Sequence, residues 1–282
     1  MNIPKHWAKE VQPVIRPSGR PFLAQAWRSS DSSPDEARRR AREAVEAIVR
    51  KLAAGEELDS YGYGERPLRE EVLQTITDHR DEPAAVITRN GYGALILNTA
   101  RVMFVDIDFP DEVGSLSASL GKLFGRKTVS REEERLQFLH QWTAGNPGWG
   151  MCVYRTKAGL RCLVTHDVYD PSAAGTVDLL RSLGSDPLYV TLCRQQGSFR
   201  ARLTPKPWRR GFANPPSRFP WDSDEEQQHF RQWEQGYQAA IAGFTTCRLL
   251  AVVGVQQDHP EARLVRELHD RYACVDDRFA LA

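Results

Sequence analysis

Two carboxylates alternate with apolar residues at the end of an apolar run, residues 102–108, with the sequence VMFVDID. If this run is a strand, Asp106 and Asp108 project from one face and Ile107 from the other. Two carboxylates about 6 Å apart repel each other by roughly 3 kcal/mol at an effective dielectric near 20, so the pair requires a cation or a basic partner. Mg²⁺ or Mn²⁺ suits this role, because these ions bind one or two carboxylates together with substrate phosphates. The spacing therefore indicates metal-assisted phosphate chemistry, and an ordinary strand end before a turn is the alternative.

Two later stretches of the chain carry basic residues and no acid. Residues 145–166 contain Arg155, Lys157 and Arg161. Residues 187–221 contain seven basic side chains: Arg194, Arg200, Arg202, Lys206, Arg209, Arg210 and Arg218. Aromatic residues are interleaved with the second set, and aromatic faces stack unpaired bases while basic groups neutralise phosphates. The composition indicates contact with phosphate or nucleic acid, and the alternative is a solvated surface whose arginines pair with acids elsewhere.

A short basic hairpin and a third carboxylate lie near these stretches. Residues 155–161 (RTKAGLR) predict a strand, a turn of small residues and a second strand. Such a turn offers backbone N–H groups and a basic side chain to a phosphate, although an ordinary hairpin explains it equally well. Asp186 then precedes two runs, 189–193 and 199–203, that we interpret as strands.

The surrounding pattern predicts an α+β fold with a central mixed or largely antiparallel sheet flanked by helices. Short β-branched or apolar runs between turn residues predict the strands, which we place at 85–88, 94–97, 102–105, 150–154, 160–165, 189–193, 199–203 and 249–255. Helical spacing and Ser/Glu capping boxes predict the helices, which we place at 34–52, 67–79, 130–142, in a segment ending near 184, at 223–241 and at 260–272. Residues 1–30, rich in Pro and Arg, are predicted to be irregular.

The global composition excludes several classes of protein. The 282 residues include 38 Lys+Arg and 37 Asp+Glu, a net charge of +1, which argues against non-specific coating of DNA but not against a local basic face. No apolar run approaches the ~18–20 residues of a membrane helix, and residues 1–7 do not show the apolar core typical of a signal peptide. The five widely spaced cysteines fit reduced thiols. No Walker, nucleophile-elbow or Rossmann motif is present. We therefore expect a cytoplasmic protein without membrane contact.

The order of these motifs resembles the archaeo-eukaryotic primase superfamily, especially its primase–polymerase branch. In that family an hhhDhD strand holds the first metal ligands, as residues 104–108 would here. A Ser-x-His motif after a glycine-containing turn holds the incoming nucleotide, and residues 156–161 correspond to it. The third motif is an Asp followed by a strand and then by Arg and Lys residues that contact nucleotide phosphates, and Asp186 would begin it. The resemblance covers roughly residues 85–210.

One position departs from the family pattern. Arg161 stands where the family has histidine, and His166 lies five residues too late. Arginine binds a triphosphate well, because its guanidinium is always charged and bidentate. The departure is compatible with nucleotide binding and counts against full polymerase activity.

The resemblance implies a fold and a set of site residues. The fold would be an RRM-like core, and the activity a metal-dependent nucleotidyl transfer of the kind used in DNA replication. Asp106, Asp108 and Asp186 would be the catalytic residues and would hold two Mg²⁺ or Mn²⁺ ions. The residues implied to bind nucleotide or template phosphates are Thr156, Lys157, Arg161, Arg194, Arg200, Arg202 and Lys206. The partners would be nucleoside triphosphates, of either sugar, and single-stranded or primed nucleic acid.

We divide the chain accordingly. Residues 1–84 would form an N-terminal helical and irregular region that packs on the core, and residues 85–222 would form the primase-like catalytic core. Residues 223–282 would add a helix, a strand and a helix that complete the same domain. Two alternatives remain open: a catalytically degenerate protein that binds nucleic acid or nucleotides, and a metal-dependent nuclease whose carboxylates activate water.

Overall fold

The computed structural model describes residues 1–56, 68–109, 130–276 and 278–282. It has mixed α and β structure with antiparallel sheets flanked by helices, which confirms the α+β prediction at this level. The strands are β1 (His6–Ile15), β2 (Pro21–Ser30), β3 (Glu71–Thr77), β4 (Pro83–Arg89), β5 (Leu95–Thr99), β6 (Phe104–Asp108), β7 (Gly150–Thr156), β8 (Gly159–Val164), β9 (Phe199–Arg202), β10 (Phe244–Thr245), β11 (Cys247–Gly254) and β12 (Ala280–Leu281).

Six α-helices flank these strands in the described part of the chain. They are α1 (Pro34–Ala53), α2 (Arg131–Gly145), α3 (Ala174–Ser182), α4 (Pro187–Gln196), α5 (Asp224–Ile241) and α6 (Pro260–Tyr272). Ser33, Ser130 and Ser223 cap α1, α2 and α5 by accepting the N–H of the residue three positions on. These caps confirm the helix starts that the Ser/Glu pairs predict. No described helix combines the length and apolar character needed to cross a membrane.

Two four-stranded antiparallel sheets share one hydrophobic core. Sheet I has the order β3-β4-β5-β9, and sheet II has the order β11-β7-β8-β6. Their inward side chains, such as Leu97 and Phe199 of sheet I and Leu163 of sheet II, are fully buried in a single cluster. Because α3, α4 and α6 add apolar side chains to the same cluster, both sheets and these helices form one packed unit.

The edges of the two sheets meet through the side chain of Tyr189 in α4. Strand β6 is one edge of sheet II and β9 is one edge of sheet I. The Tyr189 hydroxyl lies 3.2 Å from the carbonyl oxygens of Phe104 (β6) and Arg200 (β9), and it accepts the Arg200 N–H at 3.2 Å. One hydroxyl therefore satisfies backbone groups on both edges.

Residues 1–30 are not irregular, so that prediction is wrong. Strands β1 and β2 form an antiparallel hairpin with continuous pairing from His6↔Ser30 to Ile15↔Pro21. Ala24 and Ala26 on one face of β2 pack against Ala44 and Val45 of α1. Small side chains allow this close packing, and the two prolines within the strands, Pro13 and Pro21, lie at exposed positions where a missing N–H costs little.

The helix predicted at 67–79 is also wrong, and Pro67 lies outside the described residues. The segment forms β3, which pairs antiparallel with β4 from Glu71↔Arg89 to Thr77↔Pro83. The spacing of Val72 and Ile76 fits a helical face, but the segment is rich in β-branched residues that favour a strand beside a ready partner edge. This strand lies before the boundary that we place at residue 85, and β11, after the boundary at 222, pairs with β7.

The strand predicted at 189–193 is a helix, α4. Asp186 accepts the Tyr189 N–H at 2.8 Å as the N-cap, Pro187 occupies the first turn, and Gly197 ends the helix with a φ of 57°. These are the standard start and stop signals of a helix. Asp186 therefore precedes a helix, whereas the resemblance implies a strand.

We predict that Tyr189→Phe lowers the free energy of unfolding by about 1–3 kcal/mol, because it leaves backbone groups of β6 and β9 without their partner. Urea unfolding measures the change. The matched control is Tyr272→Phe, whose hydroxyl bonds Gln74 on the exposed surface and whose loss should cost no more than about 0.5 kcal/mol. Equal losses in both variants would contradict the bridging role of Tyr189.

Candidate functional site

Strand β6 presents Asp106 and Asp108 on one face at the edge of sheet II. Val105 and Ile107, which alternate with them, are buried in the core. Asp106 lies opposite Arg161 of β8, and Asp108 lies opposite Gly159. The predicted alternation is confirmed, and both carboxylates retain contact with solvent.

Asp186 lies directly beside this pair. Its N–H donates to the carbonyl oxygen of Asp106 at 2.8 Å, and the Ser185 hydroxyl donates to the same oxygen at 3.2 Å. The carboxylate of Asp186 caps α4, so one of its oxygens is already used by the protein. The structure thus brings the three predicted acids together.

The charges of the three acids interact. The pKa of the Asp108 carboxyl is raised, first because neighbouring groups remove water from it, and then because Asp106 and Asp186 are negatively charged. Lys206 and Arg202 act in the opposite direction without overcoming these effects. The pKa of Asp108 therefore stays above its ordinary value despite two nearby cations, and the loss of water is the largest cause.

Three cations face the acids from the chain that follows β9. They are Arg202 at the end of β9, Lys206, and Arg209 in the short 3-10 turn Pro207–Arg210. Burial lowers the pKa of Lys206, as do Arg202 and Arg209, whereas Asp108 and Asp106 raise it. Burial and then Arg202 lower the pKa of Arg209 in the same way.

Neither set of charges is neutralised by direct pairing. Within the described ranges, none of the three acids and none of these three cations forms a salt bridge. Carboxylates and cations that interact without a salt bridge remain available to a ligand that carries both signs of charge. A phosphate group accompanied by a divalent cation has this character.

Arg161 is nearly buried, with 5% of its surface exposed. Its guanidinium donates to the carbonyl oxygen of Arg202 at 2.9 Å and lies 3.2 Å from Nε2 of His269. Because arginine only donates, Nε2 accepts, and Nδ1 of His269 donates to Asp270 at 2.8 Å. The structure places Arg161 next to Asp106, but its guanidinium bonds to protein groups.

The other predicted phosphate ligands are spread out. Thr156 is buried, and its Oγ1 accepts the Gly159 N–H at 3.1 Å within the β7–β8 turn. Lys157 at the tip of that turn is exposed. Arg194 is exposed on α4. Arg200 forms a largely buried salt bridge with Glu70, at 2.6 Å. Arg202 and Lys206, by contrast, act on the charge of Asp108.

Two residues that sequence reasoning missed belong to this site. The sequence motifs assign no role to Arg209, one of the basic residues of 187–221, or to Tyr92. The Tyr92 phenol and the Arg209 guanidinium interact electrostatically. Asn90 holds the Tyr92 turn by accepting the N–H groups of Tyr92 and Ala94. An aromatic residue between two glycines in a tight turn was the available signal.

The donor atoms near Asp106 are carboxylate oxygens. The chain segments that the structure describes contain no group of three or more His, Cys, Asp or Glu side chains arranged to hold a metal ion. Asp106 and Asp108 remain a pair of oxygen donors on one strand face, which fits Mg²⁺ or Mn²⁺ bound partly by substrate phosphates. The metal site stays a prediction.

The β7–β8 hairpin packs closely on the strand that bears the acids. The Phe109 N–H donates to the Ala158 carbonyl oxygen at 2.8 Å. A Cβ atom at Gly159 would lie 1.9 Å from the carbonyl oxygen of Ile107. Only glycine fits at position 159, and its absence of a side chain keeps the hairpin tip beside Asp108.

Comparisons with known proteins add no assignment, because no protein-family model, no curated protein and no solved structure matches this chain.

We predict that Gly159→Ala destabilises the protein by about 1–3 kcal/mol, because the added methyl group forces backbone apart at the β6–β8 pairing. The measurement is urea unfolding. The control is Gly175→Ala in α3, where a Cβ meets nothing within 4 Å and where alanine should leave stability unchanged or slightly increased. If the two variants unfold at the same urea concentration, the close approach at Gly159 is not a constraint.

We predict that Asp108→Asn raises the melting temperature at pH 7. The pKa of Asp108 is higher in the folded state than its ordinary value of 3.8, so the folded protein loses stability as the pH rises from 3.8 to the pKa of the folded state. The gain should therefore vanish below about pH 3.8, where Asp108 is protonated in both states. Thermal unfolding at a series of pH values tests this, with Asp31→Asn, an exposed carboxylate before α1, as the control. A gain that is independent of pH would contradict the repulsion.

Proposed function

We propose that this protein is a metal-dependent nucleotidyltransferase of primase–polymerase type, which extends a nucleic-acid primer or starts one on a template. The observation that carries the proposal is the pair Asp106 and Asp108 on the solvent face of β6, opposite Arg202 and Lys206 without a direct ion pair. Acids that bind metals and cations that bind phosphates are the two components that phosphoryl transfer requires.

Three features of the fold support the resemblance. Buried apolar residues alternate with the acids of β6, a glycine hairpin lies beside Asp108, and Asp186 adjoins Asp106. In the described residues the elements of sheet II come in the order β6, α2, β7, β8, α3 and β11, which is the strand–helix–strand–strand–helix–strand series of ferredoxin-like domains. Unlike that series, α4, β9, α5 and β10 lie between α3 and β11, and all neighbouring strands of sheet II pair antiparallel. The likeness to an RRM-like core is one of chain order.

The proposed cofactor is Mg²⁺ or Mn²⁺, held by Asp106 and Asp108, with Asp186 beside them. When bound, the metal would supply positive charge to the attacking and leaving oxygens of the phosphoryl transfer. The free state of all five cysteines supports the proposed location in the reducing cytoplasm.

The residues of the chain would act on a nucleoside triphosphate as follows. Arg202, Lys206 and Arg209 bind the β- and γ-phosphate oxygens and offset the charge that develops on the leaving pyrophosphate. A primer 3′-hydroxyl, or the hydroxyl of a first nucleotide, forms a new bond to the α-phosphorus. The bond from that phosphorus to the bridging oxygen breaks, and the hydroxyl proton passes to a carboxylate of the site or to water.

A second function, nucleic-acid binding without catalysis, is favoured by the position of Arg161. The residue that replaces the histidine of the family is bonded to Arg202 and His269 rather than free to reach a nucleotide. A nuclease would use the same carboxylates to activate water. One assay separates these functions, because extension, binding and degradation of a labelled primer–template give different products.

We predict that the purified protein incorporates nucleotides into a labelled primer–template in the presence of Mn²⁺ or Mg²⁺. Asp106→Asn and Asp108→Asn should each lower the rate by about 100-fold or more, because each removes a carboxylate that would hold the divalent cation, whose positive charge would offset that of the transferring phosphoryl group. The matched control is Asp178→Asn, an exposed acid on α3, which should retain full activity.

Binding without incorporation, in protein that melts cooperatively, would favour the non-catalytic function. Shortening of the labelled strand that depends on Asp106 and Asp108 would favour a nuclease. Incorporation that is unchanged in the Asp106→Asn, Asp108→Asn double variant would falsify the site assignment.

A further inference from the structure

Trp208 is the one aromatic residue in the described part of the chain whose side chain is left largely exposed. Half of its surface, 50%, is accessible to solvent, whereas the other described aromatic residues are buried or partly covered. A large flat apolar ring in this position is costly to leave in water. The ring therefore marks a surface that a ligand would cover.

The Trp208 ring is held in place by its neighbours. It belongs to the 3-10 turn Pro207–Arg210, which Gly211 ends with a φ of 64°. The Tyr92 ring meets it edge-on, with centroids 5.2 Å apart and planes at 66°. The Nζ atom of Lys206 lies 5.4 Å from its centroid. Contacts from two separate chain segments therefore fix the ring, and a fixed ring loses little conformational entropy when a ligand stacks on it.

The same turn carries cations that face the candidate site. Lys206 precedes Trp208 and Arg209 follows it, and both interact electrostatically with Asp108. The ring is thus flanked in sequence by two cations that form no described salt bridge. An aromatic face next to cations is the arrangement by which proteins bind single-stranded nucleic acid and nucleotides, with the base on the ring and the phosphate on the cations.

We propose that Trp208, supported by Tyr92, stacks an unpaired nucleobase whose phosphate is bound by Lys206 and Arg209. This inference rests on the proposed function and names the surface where that function would hold its substrate. The charge of the segment favours a nucleotide over an acidic peptide, because an acidic peptide would use the cations and leave the ring uncovered. The base belongs either to a single strand or to a free nucleotide.

Equilibrium binding without metal and without turnover tests the proposal. Fluorescence anisotropy would measure the binding of a labelled oligothymidylate of 12 nucleotides. Competition by dTTP would measure the binding of the free nucleotide, and both measurements would be made in EDTA. Trp208→Ala should weaken binding about 5-fold to 100-fold, and Trp208→Phe should restore most of it. Leu23→Ala, which removes another exposed apolar side chain on the β1–β2 hairpin, should bind as the wild type does.

A second variant separates the ring from the cations. Arg209→Gln should reduce the salt dependence of oligonucleotide binding by about one phosphate contact, whereas Trp208→Ala should leave that slope unchanged. Oligonucleotide addition should also quench tryptophan fluorescence more in the wild type than in Trp208→Phe. This measurement holds even if Trp208→Ala does not fold.

The outcomes distinguish the sources of the base and the fate of the proposal. If Trp208→Ala loses affinity only for the oligonucleotide, the ring stacks a base of single-stranded nucleic acid. If it loses affinity only for dTTP, the ring stacks the base of the incoming nucleotide. Wild-type binding of both ligands by folded Trp208→Ala, or binding of neither by the wild type, overturns the proposal. If the wild type does not extend a primer but Trp208→Ala loses binding, the stacking site is supported and the transferase assignment is wrong. If the wild type extends a primer and Trp208→Ala binds normally, the transferase assignment is supported and the stacking site is wrong.

Discussion

The candidate site depends on how two sheet edges are joined. Strands β6 and β9 do not pair with each other as a ladder, and the Tyr189 hydroxyl takes up backbone groups on both. Since the acids lie on β6 and the chain bearing Lys206 leaves from β9, this joint sets the separation between the two charged groups. A direct strand pairing would remove the space that the hydroxyl and its ring occupy, and a wider gap would leave edge carbonyls without partners.

The separation leaves the charges of the site unbalanced locally. The raised pKa of Asp108 and the lowered pKa of Lys206 both begin with the loss of water and then with repulsion from groups of like charge. Attraction across the gap reduces these effects without cancelling them. Ionisable groups held in this state are more common at functional sites than in ordinary surfaces, because a ligand that fills the gap relieves the repulsion on both sides.

The sequence predicts one side of this site well and the other side poorly. Residues 105–108 alternate between apolar and acidic side chains, a period-2 pattern that predicts a strand with one buried face, and β6 follows it. Residues 189–193 form a short apolar run without a clear period, and here the Pro187 start and the Gly197 stop determine a helix. Arg200 and Arg202 share one face of β9, so their spacing gives both the same role. Glu70, 130 residues away in the chain, pairs with Arg200 alone, and no local pattern contains that contact.

Arg161 illustrates why the phosphate-binding function would move along the chain. Its guanidinium hydrogen-bonds to the Arg202 carbonyl oxygen and to His269, so this cation holds β8 against the segment that bears the other cations. A buried arginine that holds the backbone of Arg202 orients the start of the segment 202–209 without reaching solvent itself. The cations that reach solvent and also interact with Asp108 are then Arg202, Lys206 and Arg209, which the acid-free stretch supplies. A net charge of +1 over 282 residues is consistent with such a face, because acids such as Glu70 neutralise basic residues elsewhere and leave these three uncompensated.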